Sequence, residues 1–347
     1  MMTPENPLGL RGIEFIEYAS TSPESLEALF RELGFSKLYR HRTQAADGWS
    51  QNDIRFVINR EAGSFSESFR KQHGPCVSAM GWRVHDAKRA FEEALRRGAR
   101  PFKGEGGKAL LDKPAIHGIG DSLIYFIDAW GGAEGNLWTT EFTAHPRLEV
   151  VKSKGFQRID HLTNNVYKGT LGQWSDFYKQ VFGFTELRYF DIRGNRTGLH
   201  SYALQSPCGT FSIPINEGTE SKSQIEEYLQ EYKGPGVQHI ALLTEDLLDS
   251  LDAVSGKVPT LDIEPNYYAE VFKRVPHVKE SPERIQKHSV LVDGDEEGYL
   301  LQIFTQNLVG PIFFELIQRR NHRSFGEGNF GALFRSIERD QERRGVL

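Results

Sequence analysis

The chain has 347 residues, a net charge of -5, 38% hydrophobic and 26% charged residues, the profile of a soluble globular protein long enough for two domains and a large core. No basic excess points to nucleic acid, no apolar run approaches the length of a membrane span, and Met1 to Leu10 carry no apolar core of signal-peptide type. The two cysteines, Cys76 and Cys208, are too few for a disulfide framework and lack zinc spacing, so a reducing, cytoplasmic location is expected.

Gly12 to Tyr18 alternates as a strand does. Ser22, followed by Pro23, opens a helix in which Leu26, Leu29, Phe30 and Leu33 keep helical spacing, and Gly34 ends it before an extended stretch from Phe35. Asp53 to Asn59 reads as a further strand. A second unit holds the strand Cys76 to Val84, a helix from Asp86 to Arg97 closed by Gly98, and a strand Ser122 to Asp128. Ala144 to Gly155, with Pro146 and mixed charge, reads as a connector.

A third unit begins at Phe156. A strand around Ile159 leads to a helix carrying Trp174, Phe177, Tyr178, Val181 and Phe182, then to strands Ser201 to Leu204 and Phe211 to Asn216. A fourth holds a strand around His239, a helix Asp246 to Ser255, and strands Ser289 to Asp293 and Tyr299 to Thr305. The units repeat. Aligning the helix-ending Gly34-Phe35 and Gly183-Phe184 pairs sets Phe15 opposite His161, and aligning Asp86 with Asp246 sets Ala79 opposite His239. The expectation is a duplicated chain: a structural domain without metal at residues 1–150, and a metal-bearing catalytic domain at 151–347.

The stretch Gly310 to Arg319 follows a Gly-Pro break and is rich in aromatic and branched residues, as a strand is. Alternation puts Phe313, Glu315 and Ile317 on one face. A carboxylate in an apolar strand must be neutralised, paired or bound to a metal. His161 and His239 stand at first-strand positions whose repeat partners are not histidine. Two histidines and one carboxylate, leaving positions open, suit a non-haem Fe(II) oxygenase; spacing alone leaves Zn(II) and Mn(II) open. Taken singly, each residue also reads as an ordinary hydrogen-bonded or ion-paired side chain.

Ile159-Asp160-His161, Gly236 to Leu242, Leu291 to Asp295, Leu300 to Thr305, Gly310 to Arg320 and Phe325 through Glu338, with Gly12 to Ser20 near the N-terminus, resemble 4-hydroxyphenylpyruvate dioxygenase of bacterial type over nearly the whole chain. The resemblance implies an α+β, vicinal oxygen chelate fold: paired βαβββ modules forming two open barrels, with a C-terminal lid helix. It implies Fe(II) held by His161, His239 and Glu315, and conversion of 4-hydroxyphenylpyruvate and O2 to homogentisate and CO2 in tyrosine and phenylalanine catabolism. It places Ser201, Asn216, Gln238 and Gln302 among the catalytic polar groups, and Pro214, Gln224, Phe304, Phe325, Asn329 and Phe330 at the substrate. A homo-oligomer, dimer or tetramer, is expected, with neither nucleic acid nor membrane as partner.

By position Asn329 is the N-cap of the last helix, whose stripe Phe330, Leu333, Phe334 and Ile337 faces inward. Gly326 and Gly328 give the approach to it freedom to move. Arg335, Arg339, Arg343 and Arg344, interleaved with acids, read as a solvated face. Arg320 to Ser324 departs from the resembled pattern and reads as a loop with His322 exposed to solvent. Three rival activities share the scaffold: a 4-hydroxymandelate synthase, a non-catalytic binding protein, and a glyoxalase-like isomerase.

Overall fold

In the computed structural model, residues 2–131, 135–194, 197–254 and 256–345 are described. The first half forms one eight-stranded sheet: β1 (Leu10–Ala19), β2 (Ser36–His41), β3 (Ala46–Gln51), β4 (Ile54–Asn59), β5 (Cys76–Val84), β6 (Ala115–His117), β7 (Leu123–Ile127) and β8 (Phe142–Glu149), in the order β6-β7-β5-β1-β4-β3-β2-β8. The second half forms another: β9 (Phe156–Val166), β10 (Thr185–Arg193), β11 (Gly198–Gln205), β12 (Ser212–Gly218), β13 (Gly236–Thr244), β14 (Leu291–Gly294), β15 (Tyr299–Phe304) and β16 (Phe313–Arg320), in the order β10-β11-β12-β9-β13-β16-β15-β14. Read from opposite ends, the two orders coincide except for one extra edge strand each, β8 and β14. The fold is therefore α+β and built of paired modules, as expected.

The register makes the duplication exact enough to assign counterparts. Phe15 faces Gly81 as His161 faces Ala241, Ala79 faces Leu123 as His239 faces Phe313, and Gly81 faces Tyr125 as Ala241 faces Glu315. The two halves pack through aromatic rings. Fully buried Trp82 on β5 meets Phe182 at 4.8 Å and Phe211 at 5.3 Å, centroid to centroid.

Local chemistry accounts for the helices that carry the site. Ser223 caps the helix Gln224–Tyr232, its hydroxyl accepting from the Glu226 amide, and buried Ile225, Tyr228, Leu229 and Tyr232 fasten its inner face. The helix Phe330–Arg343 is amphipathic, and its arginines pair rather than simply face water: Arg335 and Arg339 with Glu264, and Arg344 with Glu227. Among the described residues no helix is long and apolar enough to cross a membrane. Cys76 and Cys208 are both free thiols.

Some sequence expectations need correction. Ala144 to Gly155 is not all connector, because Phe142–Glu149 is a strand paired with β2, and Tyr39 faces Ala144 in that ladder. The strands β3 and β10 and the helices Phe65–His73, Asn266–Arg274 and Pro282–Lys287 were not anticipated. The helix expected over Asp246 to Ser255 is Leu247–Val254; Ser255 lies outside the described residues. Asn329 makes no side-chain cap: its backbone is already helical, in a short 3-10 turn Glu327–Asn329. His322 is buried, not exposed. Its ring accepts from or donates to the Ser324 hydroxyl at 2.8 Å and stands 3.4 Å from Asp295.

Candidate metal centre

Three adjacent strands, β9, β13 and β16, carry the three expected ligands. His161, Ala241 and Glu315 form one row across them, with His239 two residues earlier on the middle strand. Neighbouring strands lie about 4.8 Å apart, so the outer two residues of the row stand about 10 Å apart at the backbone. Ala241 between them contributes only a methyl group, and the longer side chains meet above it. His161 Nε2 lies 3.0 Å from Glu315 Oε2, His239 Nε2 lies 3.4 Å from the same oxygen, and the two Nε2 atoms are 3.3 Å apart. All three residues are buried.

Simple alternation would turn each histidine away from the residue before it. The ladder breaks that rule at both histidines. Val237 faces Asn164 and His239 faces Thr163, which leaves Gln238 as an extra residue in β13. Ala241 faces His161 and Leu242 faces Ile159, which leaves Asp160 extra in β9. Such bulges re-aim side chains. Each histidine thereby hydrogen-bonds the side chain before it: His161 Nδ1 with Asp160 Oδ2 at 2.8 Å, and His239 Nδ1 with Gln238 Oε1 at 3.0 Å. With Nδ1 donating, Nε2 is the nitrogen turned into the triad, the arrangement outer partners impose on metal-ligating histidines.

The electrostatics suit a cation. Burial raises the Glu315 carboxyl, but the two imidazoles outweigh it and bring it down to about 2. Burial lowers the His161 ring, but Glu315 and Asp160 on either side hold it up at about 9. The His239 ring is lowered, chiefly by burial, with Glu315 opposing. Bonds of about 2.1 Å set donors about 3.0 Å apart at right angles and about 3.4 Å apart at tetrahedral angles. The observed separations span both, so the donor set fits a divalent metal without choosing among metals.

The triad forms the floor of a cavity. Phe313 stacks on His239 at 4.8 Å, while Phe304 and Phe325 turn edges toward His239 and His161. Phe330, Leu333, Phe334 and Ile337 of the last helix cover it, and Ser201, Pro214, Asn216, Gln224 and Gln238 supply most of its polar or small surface. Eight of the ten expected catalytic and substrate residues thus lie on the wall.

Gln302 and Asn329 do not. Gln302 is buried under Gly326, where an added Cβ would stand 2.6 Å from its amide, and its Oε1 has no hydrogen-bond partner. Asn329 Oδ1 instead accepts from the Tyr267 hydroxyl at 2.7 Å and from Arg274 at 3.1 Å. The sequence does not single out Thr163, whose hydroxyl is 3.0 Å from His239 Nε2, or the wall residues Phe190, Ile192 and Leu199, whereas Phe313 lines the wall on the face it shares with Glu315. Asp160 was in view only as part of a motif; an acid immediately before a candidate ligand was the available signal.

Residues 4–143 match the family described as hydroxyphenylpyruvate dioxygenase, N-terminal, and residues 158–270 match the glyoxalase, bleomycin resistance protein and dioxygenase superfamily. Over the full length of both chains, the sequence is 56% identical to protein MelA of Shewanella colwelliana. It is 42% identical to 4-hydroxyphenylpyruvate dioxygenase of Legionella pneumophila strain Corby, covering 100% of this chain and 99% of that one. Among solved structures, a triple variant of 4-hydroxymandelate synthase from Streptomyces coelicolor superimposes with TM-score 0.80 at 22% identity, covering 96% and 99% of the two chains, a likeness of fold alone. A fusion of a xylose isomerase-like TIM barrel with 4-hydroxyphenylpyruvate dioxygenase matches with TM-score 0.81 at 30% identity, over 95% of this chain and 52% of that one. With its vicinal oxygen chelate fold, full-length relatives and buried His-His-Glu cluster, the chain belongs to the 4-hydroxyphenylpyruvate dioxygenase family of enzymes.

Proposed function

We propose that the chain is an Fe(II)-dependent dioxygenase that converts 4-hydroxyphenylpyruvate and O2 to homogentisate and CO2, in the cytoplasm, within tyrosine and phenylalanine catabolism. The observation that carries this reading is a buried triad, His161, His239 and Glu315, at the floor of an aromatic-walled cavity in a chain of this family. Residues 1–150 are then a structural domain and residues 151–347 the catalytic one, and the working form is a homo-oligomer. Both oxygen atoms end in the product, one in its carboxylate and one as the new ring hydroxyl.

His161, His239 and Glu315 would hold Fe(II), which would supply coordination sites for the α-keto acid and for O2. The rest falls to the chain. Asp160 and Gln238 fix the two imidazole rings. Phe304, Phe325 and Phe330 hold the substrate ring by edge and face contacts. Ser201, Asn216 and Gln224 offer hydroxyl and amide groups to the phenol, and Gln238 stands beside the metal end. Pro214 shapes the wall without adding a donor. Gln302 and Asn329 act on the covering loop, one beneath Gly326 and the other through Tyr267 and Arg274. The apolar stripe of the last helix keeps water from the reacting centre.

The test is product analysis. The chain is purified without oxygen, then given Fe(II), 4-hydroxyphenylpyruvate and O2, and the aromatic product is identified. Homogentisate with one CO2 per O2 is expected. 4-Hydroxymandelate, or no O2 uptake with iron bound, would overturn the reading.

A further inference from the structure

Arg319 lies on β16, four residues beyond Glu315, with only 16% of its side chain exposed. One edge of its guanidinium grips Asp160 through both carboxylate oxygens, Nε to Oδ1 at 2.9 Å and Nη2 to Oδ2 at 2.8 Å. That carboxylate is the one that accepts the His161 Nδ1–H bond. The other edge faces a different part of the chain. Nη1 donates to the carbonyl of His322 at 3.1 Å and to that of Ser324 at 2.6 Å, both in the turn leading to the covering helix. The guanidinium also lies over the Phe325 ring, 5.9 Å from its centroid, and that ring meets His161 edge-on at 5.4 Å. The contacts close a loop: His161, Asp160, Arg319, Phe325, and back to His161.

We propose that Arg319 is a positioning residue that couples the orientation of the His161 ring to the seating of residues 321–329 beneath the covering helix. The inference rests on the metal-site reading above. A guanidinium is a rigid planar fork, so its two edges move together. If the turn lifts, Nη1 loses two acceptors while largely buried, and a buried donor without a partner is costly. The fork then follows the turn or holds it down. Either way Asp160, and through it the imidazole, responds to the state of the cover. A lysine keeps the charge but cannot hold a carboxylate in two-point fashion and two carbonyls at once.

The test uses the full chain, with Co(II) as the probe and no substrate. Co(II) affinity is measured by calorimetry, and amide hydrogen exchange over residues 321–329 by mass spectrometry. Arg319→Met is expected to weaken Co(II) binding about 10- to 100-fold, the range for outer partners of metal ligands, and to speed exchange over 321–329 by roughly tenfold. Asp160→Asn is expected to weaken Co(II) similarly while leaving that exchange within about twofold of the parent, since Arg319 keeps its carbonyl partners. Wild-type Co(II) affinity or wild-type exchange in Arg319→Met overturns the coupling. If that variant loses its far-UV circular dichroism, Arg319→Lys decides on the same two readouts, and absence of either effect overturns the proposal. His161→Ala separates the two levels: unchanged Co(II) binding there would sink the metal site itself, whereas lost binding there with a normal Arg319→Met sinks only the coupling.

Discussion

The two halves share strand order and register yet put opposite things at the same place. Where the second half has His161, His239 and Glu315, the first has Phe15, Ala79 and Tyr125. Phe15 lies across Gly81, so closely that a Cβ there would sit 2.3 Å from its ring. Trp138 crosses Phe15 edge-on at 6.4 Å and presses on Gly48. The first barrel is plugged by rings, and glycines on the facing strands make room for them. Even the bulge survives: Glu14 is the extra residue where Asp160 is in β9, and it serves Arg83 at 2.5 Å and the Trp138 indole at 2.6 Å instead of an imidazole. The bulge is therefore a property of the module, while the metal site is a property of side chains placed on it.

The contrast can be broken most sharply at the triad. His239→Ala or Glu315→Ala is expected to abolish turnover and to weaken Fe(II) binding by more than about 100-fold, beyond the loss seen for outer partners, with the fold kept; retained iron binding in either variant would remove the distinction between the halves. Phe15→Ala should do the reverse. It removes a fully buried ring and is expected to cost about 3–5 kcal/mol of stability by denaturant unfolding, with Co(II) affinity of the folded chain unchanged; an altered affinity would mean that the plugged half is not simply structural.

The smallest effect concerns Glu17, the counterpart of Thr163. It is buried, with its Oε1 accepting from Asn59 and Ser66 and its Oε2 without a partner. Burial raises its pKa, against the lowering effect of those hydrogen bonds. The folded chain thus keeps a proton that the unfolded chain releases above the usual carboxylate range. The stabilisation is complete below that range and is lost as pH rises through the raised value. Glu17→Gln has no proton to release, so its melting temperature should gain on the parent from pH 5 to pH 8; a constant difference would show Glu17 ionised in the fold.

The duplicated plan and the triad were legible because each breaks an apolar pattern at one residue. Glu315 stands alone in a strand of aromatic and branched side chains, and His161 and His239 differ from their repeat partners. What was not legible arises from long-range pairing. The bulges at Asp160 and Gln238 exist only in the ladder between β9 and β13, and alternation along either strand by itself predicts the wrong side. The strand β10 is mostly exposed at a sheet edge, so the apolar stripe of its Thr185 to Arg193 sequence shrinks to Phe190 and Ile192. His322 sits in a polar run that reads as surface, but Arg319 draws the carbonyls of its turn inward and buries it. Asn329 matches a helix start by residue type, yet Tyr267 and Arg274 claim its side chain.

The glycine at the back of the plugged barrel has an engineering consequence. A cavity made by trimming a core ring normally shrinks as neighbours lean in. Gly81 has no side chain with which to lean, and the rings of Tyr125 and Trp138 are held by their own bonds to the Leu110 amide and to Glu14. A chain trimmed at Phe15 would therefore keep a ring-shaped void beside Tyr125 and Trp138, in the half without the triad. Voids of that kind stay dry and take up small aromatic guests. The silent half of the molecule is a ready host, one substitution away from accepting a benzene-sized visitor.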